Sequence, residues 1–171
     1  MISKGSFSPP LQTEVRATSV SVEEQTYESN IPNTIGNYRV AEKIGRGSFS
    51  QVRVAYNIIT QERLCVKIVS KLSIASTIDR IQFEREVKIL AAVSHPNIIK
   101  FIDFHEDENY FYIFQEISDG ATLLKFISVA ENPLSENLAR PIFRQIATAL
   151  YYLHSMGIYH RDIKLENILI N

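Results

Sequence analysis

The sequence holds one cysteine, Cys65, in 171 residues. No internal disulfide can form, and no cysteine-based zinc site can be built. Neither sign of charge dominates: 18 Lys and Arg stand against 19 Asp and Glu, a net of −1. That excludes the global basic field that favours nucleic acid or an anionic membrane. No run approaches the ~20 apolar residues of a membrane span. The N-terminus lacks the apolar core of a secretory signal and the second-position Gly of a myristoylation site. Ile168-Leu169-Ile170-Asn171 is no prenylation signal. The four histidines have no metal-ligand spacing. The expectation is a soluble cytoplasmic protein of a reducing compartment, with nuclear residence left open. Neither nucleic acid nor a membrane span is expected.

What is present is an ordinary globular composition, 45% hydrophobic and 22% charged. A chain of 19.5 kDa makes one large domain or two small lobes. Residues 1–36 differ from the rest. They hold six Ser, four Thr and three Pro, carry a net −2, and show no sustained apolar period. This composition reads as a disordered tail. Ser8-Pro9 lies in it as a candidate phosphorylation site, beside the plainer reading of an unmodified serine.

From 37 onward the periodicity is clear. Tyr38–Ile44 alternates at period two, Gly45–Ser50 interrupts it, and Val52, Val54 and Tyr56 resume it. Leu64, Val66 and Ile68 mark a third strand, with Cys65, Lys67 and Val69 on its other face. Ile78–Val93 reads as an amphipathic helix with apolar positions at 78, 81, 87, 90 and 93. Phe101–His105 and Tyr110–Gln115 read as strands around a solvated acidic turn. Then the period changes to that of helices, a short one at Leu123–Ala130 and a long one from an N-capping Ser135 to Met156. Gly157 ends the latter. Pro141 falls inside it and should kink or open a turn. Strands with one helix first and helices afterwards imply two lobes, 37–116 and 117–171, joined near 116–121.

Three features carry chemistry. A Gly-rich turn between strands, Gly45-Arg46-Gly47, lets backbone N–H groups approach phosphate oxygens. It continues into a strand, not a helix, so it is no dinucleotide-binding fingerprint. Lys67 sits mid-strand between Val66 and Ile68. A Lys there is expensive to bury unpaired and needs a counter-charge or a ligand phosphate. Glu86 on the helix is the candidate counter-charge; the plain alternative has Lys67 reaching solvent and Glu86 as surface charge. His160-Arg161-Asp162-Ile163-Lys164-Leu165-Glu166-Asn167 follows the long helix. It gathers a carboxylate, a cation and a neutral metal ligand in one loop. That set suits phosphoryl transfer to a hydroxyl.

Together these stretches resemble the first part of a eukaryotic-type protein kinase domain, from about Tyr38 to Asn171. Gly45-x-Gly47-x-x-Ser50-x-Val52 resembles the family's Gly-rich loop. Leu64-Cys65-Val66-Lys67 resembles the strand ending in the phosphate-contacting Lys, and Glu86 the helix Glu that pairs with it. His95-Pro96-Asn97-Ile98-Ile99 resembles the turn after that helix. Glu116-Ile117-Ser118 resembles the hinge, with Gln115 as gatekeeper. The resemblance implies an α+β bilobal fold: a five-stranded N-lobe with one helix, then the first C-lobe helices and the catalytic loop. It implies ATP and Mg2+ as cofactors and protein Ser/Thr hydroxyls as substrates. Asp162, Lys164, Asn167, Lys67 and Glu86 would be the catalytic set, with Asn167 on the metal. Ile44, Gly45, Gly47, Val52, Cys65, Gln115, Glu116, Ser118 and Leu169 would line the nucleotide site. Lys164 favours serine/threonine specificity, and the calcium/calmodulin-dependent and AMP-activated kinases look most similar.

Two departures stand out. Ser50 replaces the third Gly, and Thr122 stands where many relatives carry a ribose-binding Glu. No Asp-Phe-Gly follows Asn167 within these residues. Three readings follow: a serine/threonine kinase seen as a truncated domain, a non-catalytic nucleotide- or partner-binding module, and a fragment without a stable fold. The uncovered C-lobe face, with Ile142, Ile146, Leu150 and Leu153, is expected to invite chaperone binding or self-association.

Overall fold

A computed structural model describes residues 31–47, 50–74, 76–130 and 134–170. The Ser8-Pro9 site and most of the expected tail lie outside the described residues. Six strands form one antiparallel sheet in the order β1-β2-β3-β4-β6-β5. They are β1 (Thr34–Ile35), β2 (Tyr38–Arg46), β3 (Ser50–Asn57), β4 (Arg63–Ser70), β5 (Phe101–Glu106) and β6 (Tyr110–Glu116). The five expected strands are all present. The sixth, β1, corrects the boundary of the expected tail. Thr34 and Ile35 pair with Arg39 and Tyr38, and Ile35 is buried in the sheet's core. A two-residue strand is too short to show a period, so composition alone assigned it to the tail.

Directly paired residues of antiparallel strands share a face. Val52 pairs with Lys67 and Lys67 with Ile113; Cys65 pairs with Val54 and Gln115. The opposite face carries Leu64, Val66, Ile68, Tyr112 and Phe114, all at most 1% exposed. Tyr38 covers that face, its ring stacked on Phe114 at 4.0 Å. Its hydroxyl donates to Asp103 Oδ2 at 3.0 Å, and His105 Nε2 lies 3.1 Å from the same oxygen.

Burial pushes the Asp103 carboxyl up. Donors from Phe104 N–H, Tyr38 O–H and His105 outweigh that, and the group sits below its usual value. Burial and the Asp103 bond push the Tyr38 phenol up to about 12. A carboxyl depressed in the folded state adds stability above its unfolded value, about 3.9, and loses it as pH falls through the folded value. Urea midpoints should therefore drop as the pH falls below about 4. Asp103→Asn should flatten part of that slope; an unchanged slope would contradict the network's role.

Helix α1 (Thr77–Ala92) begins at a capping box. Ser76 Oγ accepts from Asp79 N at 3.1 Å, and Asp79 Oδ2 accepts from Ser76 N at 3.3 Å. The helix stands where the sequence predicts it, but its buried face differs. Ile78 and Ile81 are 67% and 60% exposed, and Phe83 turns inward onto Phe111, with ring centroids 4.6 Å apart. Val87 and Leu90 join this cluster. The sheet offers an aromatic platform under Phe83, and a helix with apolar residues on both sides turns the larger one inward. Ser76→Ala should lower stability by about 1 kcal/mol, the usual loss for an N-cap, read as a few degrees in the melting temperature. No change would show that the box adds nothing.

The acidic turn is more than solvated. Asp107 Oδ1 accepts from Asn109 N and Tyr110 N at 2.8 and 2.7 Å, and Tyr112 O–H donates to Asp107 Oδ2. Beyond the sheet come β7 (Ala121–Thr122), α2 (Leu123–Ser128), α3 (Glu136–Ser155) and β8 (Leu169–Ile170). Helix α3 runs through Pro141. Ala149 and Leu153 pack with Val93 and Ile98, so Leu153 already has the partner it was expected to lack. Ile142, Ile146 and Leu150 are half-buried. The bare apolar groups on this helix are instead Leu138, Phe143 and Tyr151, 55%, 71% and 77% exposed. No helix among the described residues is long and apolar enough to cross a membrane.

Candidate functional site

The hairpin β2–β3 carries the Gly-rich turn, whose tip at 48–49 lies outside the described residues. Gly47 N–H donates to Ser50 C=O at 2.7 Å. A Cβ on Gly47 would stand 2.8 Å from Ser50 Oγ, too close without a shift. Ser50, at the third-Gly position, thus places its hydroxyl over Gly47, and a side chain there would have to displace it. Gly45 lies against Val52, where a Cβ would make ordinary contact at 3.5 Å. Ile44 is exposed and Val52 half-buried on this hairpin.

Lys67 reaches its position through the β3–β4–β6 register, between Val52 and Ile113. Burial lowers its pKa, and the field of Glu86 opposes that shift. Burial in turn raises Glu86, and Lys67 pulls it back. The two sense each other electrostatically, as the sequence implied, but no direct ion pair joins them. Cys65, one pleat away, sits beside Gln115 and points its thiol at the Glu116 carbonyl, 3.5 Å off. Burial pushes that thiol up to about 11, so it stays protonated and unreactive at neutral pH.

Beyond β6 the chain turns through Glu116–Gly120. Glu116 N–H is taken by Lys100 C=O at 3.0 Å, and Ser118 Oγ accepts from Gly120 N–H at 3.3 Å. An Arg63–Asp119 ion pair ties β4 to this segment. Thr122, at the ribose position of the family, caps α2 instead: its Oγ1 accepts from Lys125 N at 3.2 Å.

The loop 160–167 is drawn together by its own side chains. Asn167, 8% exposed, donates from Nδ2 to Asp162 C=O and to Asp162 Oδ2, both at 2.9 Å. Lys164 Nζ stands 3.1 Å from the same carboxylate oxygen. Lys164 first, then Asn167, holds the Asp162 carboxyl below its usual value despite partial burial. His160 Nδ1 accepts from Asp162 N–H at 3.2 Å. Arg161 takes φ +62°, a left-handed conformation uncommon for a residue with a Cβ. It turns the chain so that Asp162 and Asn167 face each other. With Asn167 Nδ2 spent on Asp162, its Oδ1 has no partner among the described residues.

Sequence reasoning did not see what fastens this loop. Ala121 and Thr122 pair with Ile170 and Leu169, and Leu123 N–H donates to Ile168 C=O at 2.7 Å. The two-stranded ladder ties the end of the loop to the residues that follow the 116–120 segment, with Leu169 half-buried in it. Its strands are two residues long and carry no periodic signal.

The sequence matches the protein kinase domain family over residues 38–171. The chain belongs to that family. Serine/threonine-protein kinase RAD53 of Saccharomyces cerevisiae is 34% identical over 164 residues, which is 94% of this chain and 20% of that protein. The calcium/calmodulin-dependent protein kinase type II of Schizosaccharomyces pombe is 38% identical over 160 residues, 92% of this chain and 31% of that protein. The crystal structure of Rad53 1-466 in complex with AMP-PNP superposes with TM-score 0.68 at 36% identity. It is covered to 34%, and this chain to 78%. The chain thus spans a fifth to a third of the relatives' length. In kinase terms the sheet with α1 is the N-lobe fold, and the helices with the 160–167 loop are the opening of the C-lobe.

Proposed function

We propose that the chain binds ATP between the Gly-rich hairpin and the 160–167 loop and is built for transfer of the γ-phosphoryl group to a protein Ser or Thr hydroxyl. The observation that supports this most is the closed set Asp162–Lys164–Asn167. Asp162 is kept ionised by a cation and an amide, so at neutral pH it can orient a substrate hydroxyl and accept its proton. Lys164 stands where charge builds on the transferring phosphoryl group. Lys67, on the pocket face of β4, meets the phosphates. Adenine lies against Val52, Cys65 and Leu169. It is read by the Glu116 carbonyl, whose own N–H is already spent, and by the backbone of Ser118.

Magnesium fits the loop in part. Asn167 Oδ1 offers one hard oxygen ligand, and Mg2+ commonly takes only one or two protein oxygens, with phosphates and water for the rest. Bound there, it would neutralise phosphate charge. Among the described residues no cluster of three or more His, Cys, Asp or Glu side chains offers another metal site.

The hinge reading is tested with adenosine. Ser118→Ala should change affinity by no more than about threefold, because backbone groups read the base. Cys65→Phe should remove binding by filling the pocket. Calorimetric titration measures both; a large loss from Ser118→Ala in a folded protein would sink the backbone account.

A further inference from the structure

We propose that Glu106 is a positioning residue: shared by Lys71 and Arg80, it seats helix α1 on the sheet and so sets how closely Glu86 approaches Lys67. The proposal rests on the reading of Lys67 as the phosphate-contacting residue. The Lys71 ammonium lies 2.7 Å from Glu106 Oε2, and Arg80 Nη2 lies 3.9 Å from the same oxygen. Both cations also stand over one ring, Phe111, at 4.8 and 6.0 Å from its centroid. Phe83 of α1 packs on that ring at 4.6 Å. Lys71 is itself anchored, its N–H donating to Asn109 C=O at 2.8 Å. The end of β4, the first turns of α1, the end of β5 and the start of β6 therefore meet at one carboxylate.

Among the described residues this is the only ion pair that joins α1 to the sheet. Arg80 makes one other, to Glu84 in the same helix. Glu86 lies six residues further along, roughly 9 Å up the axis. There the helix is not clamped, since Lys67 and Glu86 form no direct pair. Exposed ion pairs are individually weak. Here one carboxylate serves two cations over an aromatic ring, and the load is a helix whose central polar contact is open. Releasing Glu106 lets the helix swing at the end where it is held.

The readout is the amine of Lys67. Burial lowers its pKa and the field of Glu86 resists that shift, so a retreating Glu86 lowers it further and makes the amine more nucleophilic. Lys67 acylation is followed by peptide mass spectrometry in the 171-residue chain, with exposed Lys100 as internal standard. Glu106→Gln should speed Lys67 labelling several-fold relative to Lys100. Glu86→Gln should do at least as much, and the double variant should match Glu86→Gln alone. An unchanged Lys67 rate in Glu106→Gln, or an equal added effect in the Glu86→Gln background, would overturn the proposal. If Glu106→Gln loses its cooperative melt, Arg80→Gln removes one arm only and should give the same direction with smaller size; no change there would also overturn it. In parallel, ATP affinity should fall several-fold in Glu106→Gln while adenosine affinity holds. A wild-type chain that binds ATP no better than adenosine would defeat the phosphate reading of Lys67, while the labelling series still decides the role of Glu106.

Discussion

A polypeptide of these 171 residues is expected to transfer no measurable phosphate to a generic Ser/Thr peptide. A polypeptide extended through an Asp-Phe-Gly element and an activation loop should transfer it readily. Phosphoryl transfer in kinases is positioning and charge neutralisation, with little covalent chemistry from the protein. The chain supplies an ionised Asp162, Lys164 beside it, and one hard ligand in Asn167 Oδ1. Its Lys67 and Glu86 sense each other without a direct pair. The family's magnesium-binding carboxylate, in Asp-Phe-Gly, has no counterpart among these residues. Losing one preorganised electrostatic group costs on the order of 10²–10³ in rate, and here a metal ligand and the substrate-ordering loop are lacking together. Radiolabelled transfer, with Asp162→Asn as control, measures it. Robust transfer by the 171-residue polypeptide that vanishes in the control would show that the Asp162 loop suffices.

The bare face of α3 bears on the same experiment. Phe143 and Tyr151, eight residues apart on one side of the helix, have no cover among the described residues. Eight residues are just over two turns, so the pair forms one stripe. Exposed apolar stripes of this kind bind other apolar surfaces. Gel filtration across a concentration series therefore belongs beside the activity assay.

How much of this was legible in the sequence depends on whether the signal was local. The set Asp162–Lys164–Asn167 lies within six residues, so the sequence order brings the chemistry together before any tertiary contact forms. Lys67 was legible because a cation between Val66 and Ile68 contradicts its strand. The face of α1 was not. Ile78 and Ile81 satisfy the helical period as well as Val87 and Leu90 do, and only the aromatic platform at Phe111 selects Phe83. Thr34–Ile35 and Leu169–Ile170 are too short for any period; strand partners define them. The left-handed Arg161 is invisible as well, because no glycine marks it. The Glu106 bracket joins residues 71, 80 and 106, which no spacing rule connects.

Lys67→Met should weaken ATP by at least about tenfold and leave adenosine nearly unchanged. Lys67 is pulled toward its neutral form by burial, and only Glu86 among its neighbours resists. A phosphate chain adds several negative charges at that point. The ammonium is then stabilised, and burial strengthens the attraction above its value in water. Tenfold corresponds to about 1.4 kcal/mol, at the lower edge of the 1.5–3 kcal/mol typical of a hydrogen bond to a charged group. Adenosine carries no phosphate, so it forgoes none of this. Methionine keeps the length and apolar stem of Lys67, so the packing between Val52 and Ile113 survives. The buried charge is removed as well, so Lys67→Met should melt no lower than wild type. Calorimetric titration with both ligands decides it. Equal losses for ATP and adenosine would mean that Lys67 shapes the pocket and does not meet phosphate.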